Sequence, residues 1–148
     1  MVLQEAAVTV DAFPRDGKLR ALYDFADDKI RPQLLKTLVP DRAGLWSASL
    51  RTISYKPERR YVARLTTDAG ENALIKLYRE QDYFNAQRAS GEFDPRSLLG
   101  SSESHRVLIL NWLRGQPLIP ATHARDFDPA MLYAVGKALA GFHSRKFG

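Results

Sequence analysis

The spacing of hydrophobic and polar positions changes along the chain. Between Leu19 and Leu38 the apolar residues Leu19, Leu22, Tyr23, Ala26, Ile30, Leu34 and Leu38 recur every three or four positions, the period of one helix face. This predicts one bent or two short amphipathic helices whose stripe packs into a core. Asp16 and Asp27 suit helix starts, Pro32 fits the first turn of a second helix beginning near Asp28, and Val39-Pro40-Asp41 ends it. Ahead of them, Ala7-Val8-Thr9-Val10 reads as a short strand.

From Ser47 onward the pattern becomes strand-like. Ser47 to Tyr55, Arg60 to Thr67 and Asn72 to Tyr78 read as strands, joined by the turns Lys56-Pro57-Glu58 and Asp68-Ala69-Gly70-Glu71, so three consecutive antiparallel strands are expected. A polar helix follows from Gln81 to Ser90, with Gly91 as its C-terminal stop and Asp94-Pro95 beyond it. Two more strands, Ser97 to Ser101 and Arg106 to Asn111, flank a hairpin loop of Ser102-Glu103-Ser104-His105. After the proline-punctuated stretch Gln116-Pro117-Leu118-Ile119-Pro120, a last helix is expected from Pro129 to Lys146, with Leu132, Val135, Leu139 and Phe142 on one face. The expected class is α+β: a five-stranded antiparallel sheet with one inserted helix, preceded by N-terminal helices. Three zones result: a helical extension over residues 1–46, a sheet domain over 47–113, and a linker with a helix over 114–148.

A chain of 148 residues, 45% hydrophobic and 26% charged, buries a real core and reads as one globular domain or part of a larger one. No run approaches the roughly 18 apolar residues of a membrane span, and Met1-Val2-Leu3-Gln4-Glu5 lacks the basic-then-apolar order of a secretory signal, so a cytoplasmic location without membrane contact is expected. The absence of cysteine excludes disulfides, thiolate zinc sites and cysteine nucleophiles. The three histidines, His105, His123 and His143, have no metal-ligand spacing. A net charge of +5 admits nucleic acid, anionic lipid or a phosphate-rich small ligand as partner. The densest basic knot, Lys56-Pro57-Glu58-Arg59-Arg60, is too short for a basic helix and reads equally as a solvated turn. Tyr55, Tyr61 and Tyr78 lie near Lys56, Arg60, Arg64 and Arg79 in sequence, which keeps a single-strand nucleic-acid face as the weakest reading.

Lys76 is the odd residue in an apolar strand, Ala73-Leu74-Ile75-Lys76-Leu77-Tyr78. A half-buried ammonium needs an anion nearby, gives up its proton, or snorkels to water. The phosphates of ATP would supply that anion.

The hinge-like segment Leu110-Asn111-Trp112-Leu113-Arg114-Gly115-Gln116-Pro117-Leu118 resembles that of the aminoglycoside phosphotransferase and choline kinase-like family. The helix Val135-Gly136-Lys137-Ala138-Leu139-Ala140-Gly141-Phe142-His143 is similar to that family's Leu-Gly-x-x-Leu-Ala-x-Leu-His pattern. Tyr55-Lys56-Pro57-Glu58-Arg59-Arg60 is similar to a Tyr-Lys-Pro-Gly-Arg-Arg turn of some members, including maltokinase-like proteins. The resemblance covers roughly residues 48–146 and implies a protein-kinase-like small lobe followed by the first helix of a truncated large lobe. It implies that Lys76 contacts ATP phosphates, and that the backbone of Asn111, Trp112 and Leu113 meets the adenine edge. It further implies that Ile53, Val62, Ile75 and Leu110 line the apolar slot, and that the turn with Lys56 and Arg60 covers the phosphates.

The sequence departs from that family at three points. Glu58 stands where relatives often carry glycine, so side chains rather than backbone amides are expected to meet a phosphate there. The acidic partner of Lys76 is open among Glu80, Asp82 and Glu92, since Gln87 occupies the centre of the helix. The catalytic loop His-Gly-Asp-x-x-x-x-Asn is absent. These residues are therefore expected to be the ATP-binding part of a longer small-molecule kinase, inactive alone. Magnesium is expected only in the complete enzyme, and a sugar, aminoglycoside or choline-like alcohol is the acceptor through a missing lobe. Self-association through the helix of 129–146 is a further expectation. A noncatalytic binding module of the same fold is the alternative.

Overall fold

The computed structural model describes residues 13–93, 96–115, 122 and 127–144, apart from the side chains of 92, 93, 142 and 143. The expected strand at Ala7-Val10 and the proline-rich stretch 116–120 lie outside the described residues. Two compact units are present, residues 1–112 and residues 113–148.

The first unit begins with three short helices, α1 (Ala21–Ala26), α2 (Arg31–Leu38) and α3 (Ala43–Trp46). Before α1, the carboxylate of Asp16 accepts the N–H groups of Lys18 and Leu19, both at 2.9 Å, and before α2 that of Asp27 accepts the N–H of Lys29 at 2.7 Å. These side chains satisfy backbone donors in the turns that lead into each helix. Pro32 sits in the first turn of α2, where its missing N–H costs no helix hydrogen bond.

Five antiparallel strands follow: β1 (Ser49–Lys56), β2 (Arg60–Thr66), β3 (Asn72–Tyr78), β4 (Leu98–Ser102) and β5 (Val107–Asn111). Their order across the sheet is β1-β2-β3-β5-β4, with helix α4 (Glu80–Phe93) between β3 and β4 in the chain. The β2–β3 turn closes on Gly70, at φ 80°, a left-handed conformation that glycine adopts without steric penalty. Helix α4 runs through Gly91 to Phe93 instead of stopping, because Gly91 does not take the left-handed conformation that ends a helix.

Alternation divides the sheet into two faces. On one, Tyr61, Ala63 and Leu65 of β2, Ala73, Ile75 and Leu77 of β3, and Val107 and Ile109 of β5 share a core with Leu19, Leu22, Phe25, Leu35, Val39, Leu45 and Ala48. Residues between Leu19 and Ala48 thus form one wall of this core. Each fully buried side chain of this size contributes about 1.5–3 kcal/mol of transfer free energy. On the other face, α4 covers β5 and part of β3, packing Tyr83 and Ala86 against Leu74, Tyr78, Leu98, Leu108 and Leu110.

The second unit contains α5 (Ala130–His143), whose Met131, Leu132, Tyr133 and Leu139 are exposed. Among the described residues no helix is long and apolar enough to cross a membrane.

Candidate functional site

Strand β3 puts Lys76 on the face that α4 only partly covers. Its cross-strand neighbours are Val62 on β2 and Leu108 on β5. One pair further along, Arg60 lies opposite Tyr78 and Lys56 lies opposite Arg60, so Lys56, Arg60 and Lys76 share this face around Val62. Like charges placed opposite one another across a ladder repel. Among the described residues no carboxylate pairs with any of the three.

Lys76 is half-buried. Burial pushes its ammonium below the usual lysine range, and the charge of Arg60 pushes it in the same direction. Two of the three carboxylates open as partners are taken elsewhere: Glu80 bonds the Arg106 guanidinium at 2.7 Å, and Asp82 bonds Arg79 at 2.9 Å; the side chain of Glu92 lies outside the described residues. Glu80 and Asp82 lie in the first turn of α4, too near the rim of the sheet to face the middle of β3. Gln87 donates to the Ser101 hydroxyl of β4 at 3.3 Å and is likewise turned away from Lys76.

Apolar residues named for a nucleotide slot separate between environments. Val62 is half-buried beside Lys76, and Leu110 shares its face under α4. Ile75 belongs to the opposite face, fully buried against the N-terminal helices, because adjacent strand residues cannot point the same way. Ile53 sits at a β-bulge, is skipped in the β1–β2 register and is 52% exposed.

The hinge-like residues also differ from one another. The N–H of Asn111 donates to Ser97 O at 2.7 Å and its side-chain amide donates to Arg96 O at 2.8 Å, so its donor is not free for a base. Trp112 is half-buried with the Arg64 guanidinium over its ring at 4.8 Å, and its backbone groups have no hydrogen-bond partner among the described residues. Arg64 is held there by a bond from Nε to the Asn72 side-chain oxygen at 2.7 Å. Leu113 belongs to the second unit and is 78% exposed.

The β1–β2 turn has a partner that sequence reading missed. Glu58 takes φ 56°, the left-handed region that favours glycine. Its N–H donates to Asp16 Oδ2 at 2.8 Å and its carboxylate pairs with Lys18 at 2.8 Å. Tyr55 donates its hydroxyl to the same Asp16 oxygen at 2.8 Å. The turn's central amide is therefore committed to Asp16, which leaves side chains, Lys56 and Arg60 among them, to meet an anion. No sequence signal marks a bond spanning 42 positions.

Tyr55 and Tyr61 pack with Phe13 on the helix-covered side of the sheet, ring centroids 5.4 to 6.4 Å apart. They thus lie on the face opposite Arg60 and Arg64, whereas Tyr78 is the cross-strand neighbour of Arg60 and Trp112 lies under Arg64. Among the described residues no group of three or more histidines or carboxylates is placed to hold a metal ion. Comparison with protein-family models, with curated proteins and with solved structures finds no match to this chain.

Proposed function

We propose that this chain is the nucleotide-binding portion of a small-molecule phosphotransferase of the protein-kinase-like type, in which the open sheet face holds the phosphates of ATP at Lys76. One observation carries the reading: Lys76 is partly desolvated, is flanked by Arg60 instead of a carboxylate, and has no hydrogen-bond or ion-pair partner among the described residues. A multivalent anion offsets both the lost hydration and the repulsion between the cations. Val62 forms the apolar floor between them, and the backbone of Trp112, without a hydrogen-bond partner among the described residues, supplies the groups that would read a base edge. The acceptor is the hydroxyl of a sugar, aminoglycoside or choline-like alcohol. No His-Gly-Asp-x-x-x-x-Asn loop occurs in the sequence, so phosphoryl transfer is not assigned to any residue here, nor is a magnesium site.

Titration of a fluorescent ATP analogue into wild type, Lys76→Met and Arg60→Ala tests the reading. Loss of one charged contact weakens binding about tenfold or more. Equal affinity of wild type and Lys76→Met, or no measurable binding by wild type, overturns it.

The commitment of Glu80 and Asp82 to arginines favours a second reading, a noncatalytic module of the same fold that binds an anionic ligand without a lysine–acid pair. Analogue binding indifferent to added magnesium supports the module; binding strengthened by magnesium supports the enzyme portion.

A further inference from the structure

A separate cleft of about 610 Å³ opens at the end of the sheet where β3 finishes and β5 begins. Three segments distant in sequence bring cations to its wall: Lys18 and Arg20 from the turn before α1, Arg79 from the entry to α4, and Arg106 from the turn before β5. Glu80 is the one acid in the described lining. Arg20 has no ion pair or hydrogen bond among the described residues.

Asp82 takes two bonds from Arg79, at 2.9 and 3.3 Å, and is 38% exposed, while the carboxylates on Lys18 and Arg106 are more open to water. Glu58, on Lys18, is 60% exposed, and Glu80, on Arg106, is 70% exposed. Exposed pairs of this kind are worth about 0–1 kcal/mol. Arg106 gives one N–H to Glu80 out of the five donors a guanidinium carries, which leaves most of its fork for another acceptor. The volume suits a small metabolite rather than a single ion. Lys76 is not part of this wall.

We infer that this cleft binds a compact small molecule bearing two or more phosphate groups, at a site distinct from the face around Lys76. Multivalency is the key: one phosphate spans Arg106, displacing the exposed Glu80, and the free N–H groups of Arg79, while a second reaches Arg20 and Lys18, displacing the exposed Glu58. Arginine forks match phosphate oxygens in paired N–H bonds, which favours phosphate over a spherical anion.

Calorimetric titration of wild type with inorganic pyrophosphate, inorganic phosphate and sulfate tests this, alongside Lys76→Met and the double variant Arg20→Ala/Arg106→Gly. Arg106 takes φ 50°, so glycine there relieves backbone strain while removing the guanidinium. Pyrophosphate is expected to bind about tenfold more tightly than phosphate or sulfate, to lose about tenfold or more in the double variant, and to stay within about twofold in Lys76→Met. Should the double variant fail to fold in a thermal melt, Arg20→Glu, an exposed change with no partner to lose, gives the same reading. Equal affinity for the three anions, retained affinity in Arg20→Ala/Arg106→Gly or Arg20→Glu, a loss in Lys76→Met, or no pyrophosphate binding overturns the inference. Failure here leaves the ATP analogue result untouched, since that titration reads Lys76.

Discussion

Asp16 receives four hydrogen bonds, from the N–H groups of Lys18, Leu19 and Glu58 and from the Tyr55 hydroxyl. Burial by itself raises its pKa, and these bonds together outweigh burial and hold the carboxyl below its ordinary value of 3.8. A depressed carboxyl adds stability that is fully present above the unfolded value and is lost as pH falls below 3.8 through the folded one. Asp16→Ala is expected to cost about 2 kcal/mol at pH 7 in urea unfolding, with the gap to wild type closing in acid below that pH. Lys76 has linkage of the same sign, in an alkaline window. Its folded pKa lies below the ordinary 10.5, so the folded protein binds fewer protons and stability rises as pH climbs toward that value. Lys76→Met is expected to be more stable than wild type at pH 7, on the order of 1 kcal/mol, with the difference shrinking toward pH 10.5 in thermal melts. That Lys76 is an anomalous cation was legible from its apolar neighbours. That Glu80 and Asp82 do not pair with it was not, because they are drawn to Arg106 and Arg79 by contacts that sequence spacing does not reveal.

At the scale of elements, strand positions were readable to within about two residues because period-two alternation is imposed by the pleat itself. Helix ends were less so: α3 is too short to show a period, and α4 passes through Gly91. One strand–helix contact is unusually close. A Cβ on Gly100 of β4 would stand 2.2 Å from the Leu38 carbonyl oxygen at the end of α2, backbone that cannot move aside cheaply. Gly100→Ala is expected to destabilise by about 3 kcal/mol, lowering the urea midpoint with the slope unchanged. Sequence gave no warning of this either, since a glycine within a strand signals either a bulge or a close approach, and β4 has both at hand.

For the whole molecule, both core clusters, among the described residues, draw on residues 19–110. A chain ending at Trp112 is therefore expected to unfold cooperatively, with a midpoint within a few degrees of the full chain by circular dichroism. Removal of residues 1–46 has the opposite outcome. It uncovers Tyr61, Leu65, Ile75, Leu77 and Ile109 together, and aggregation in size-exclusion chromatography is the expected result. The central position of β3 in the sheet carries one more consequence, for folding. Both faces of β3 are mostly apolar, Ala73, Ile75 and Leu77 on one and Leu74, Lys76 and Tyr78 on the other, so hydrophobicity alone barely distinguishes the native pairing from one slipped by a single residue. A slip would drive the ammonium of Lys76 into the helix-covered core. A lysine at this position therefore raises the free energy of the misaligned sheet relative to the native one.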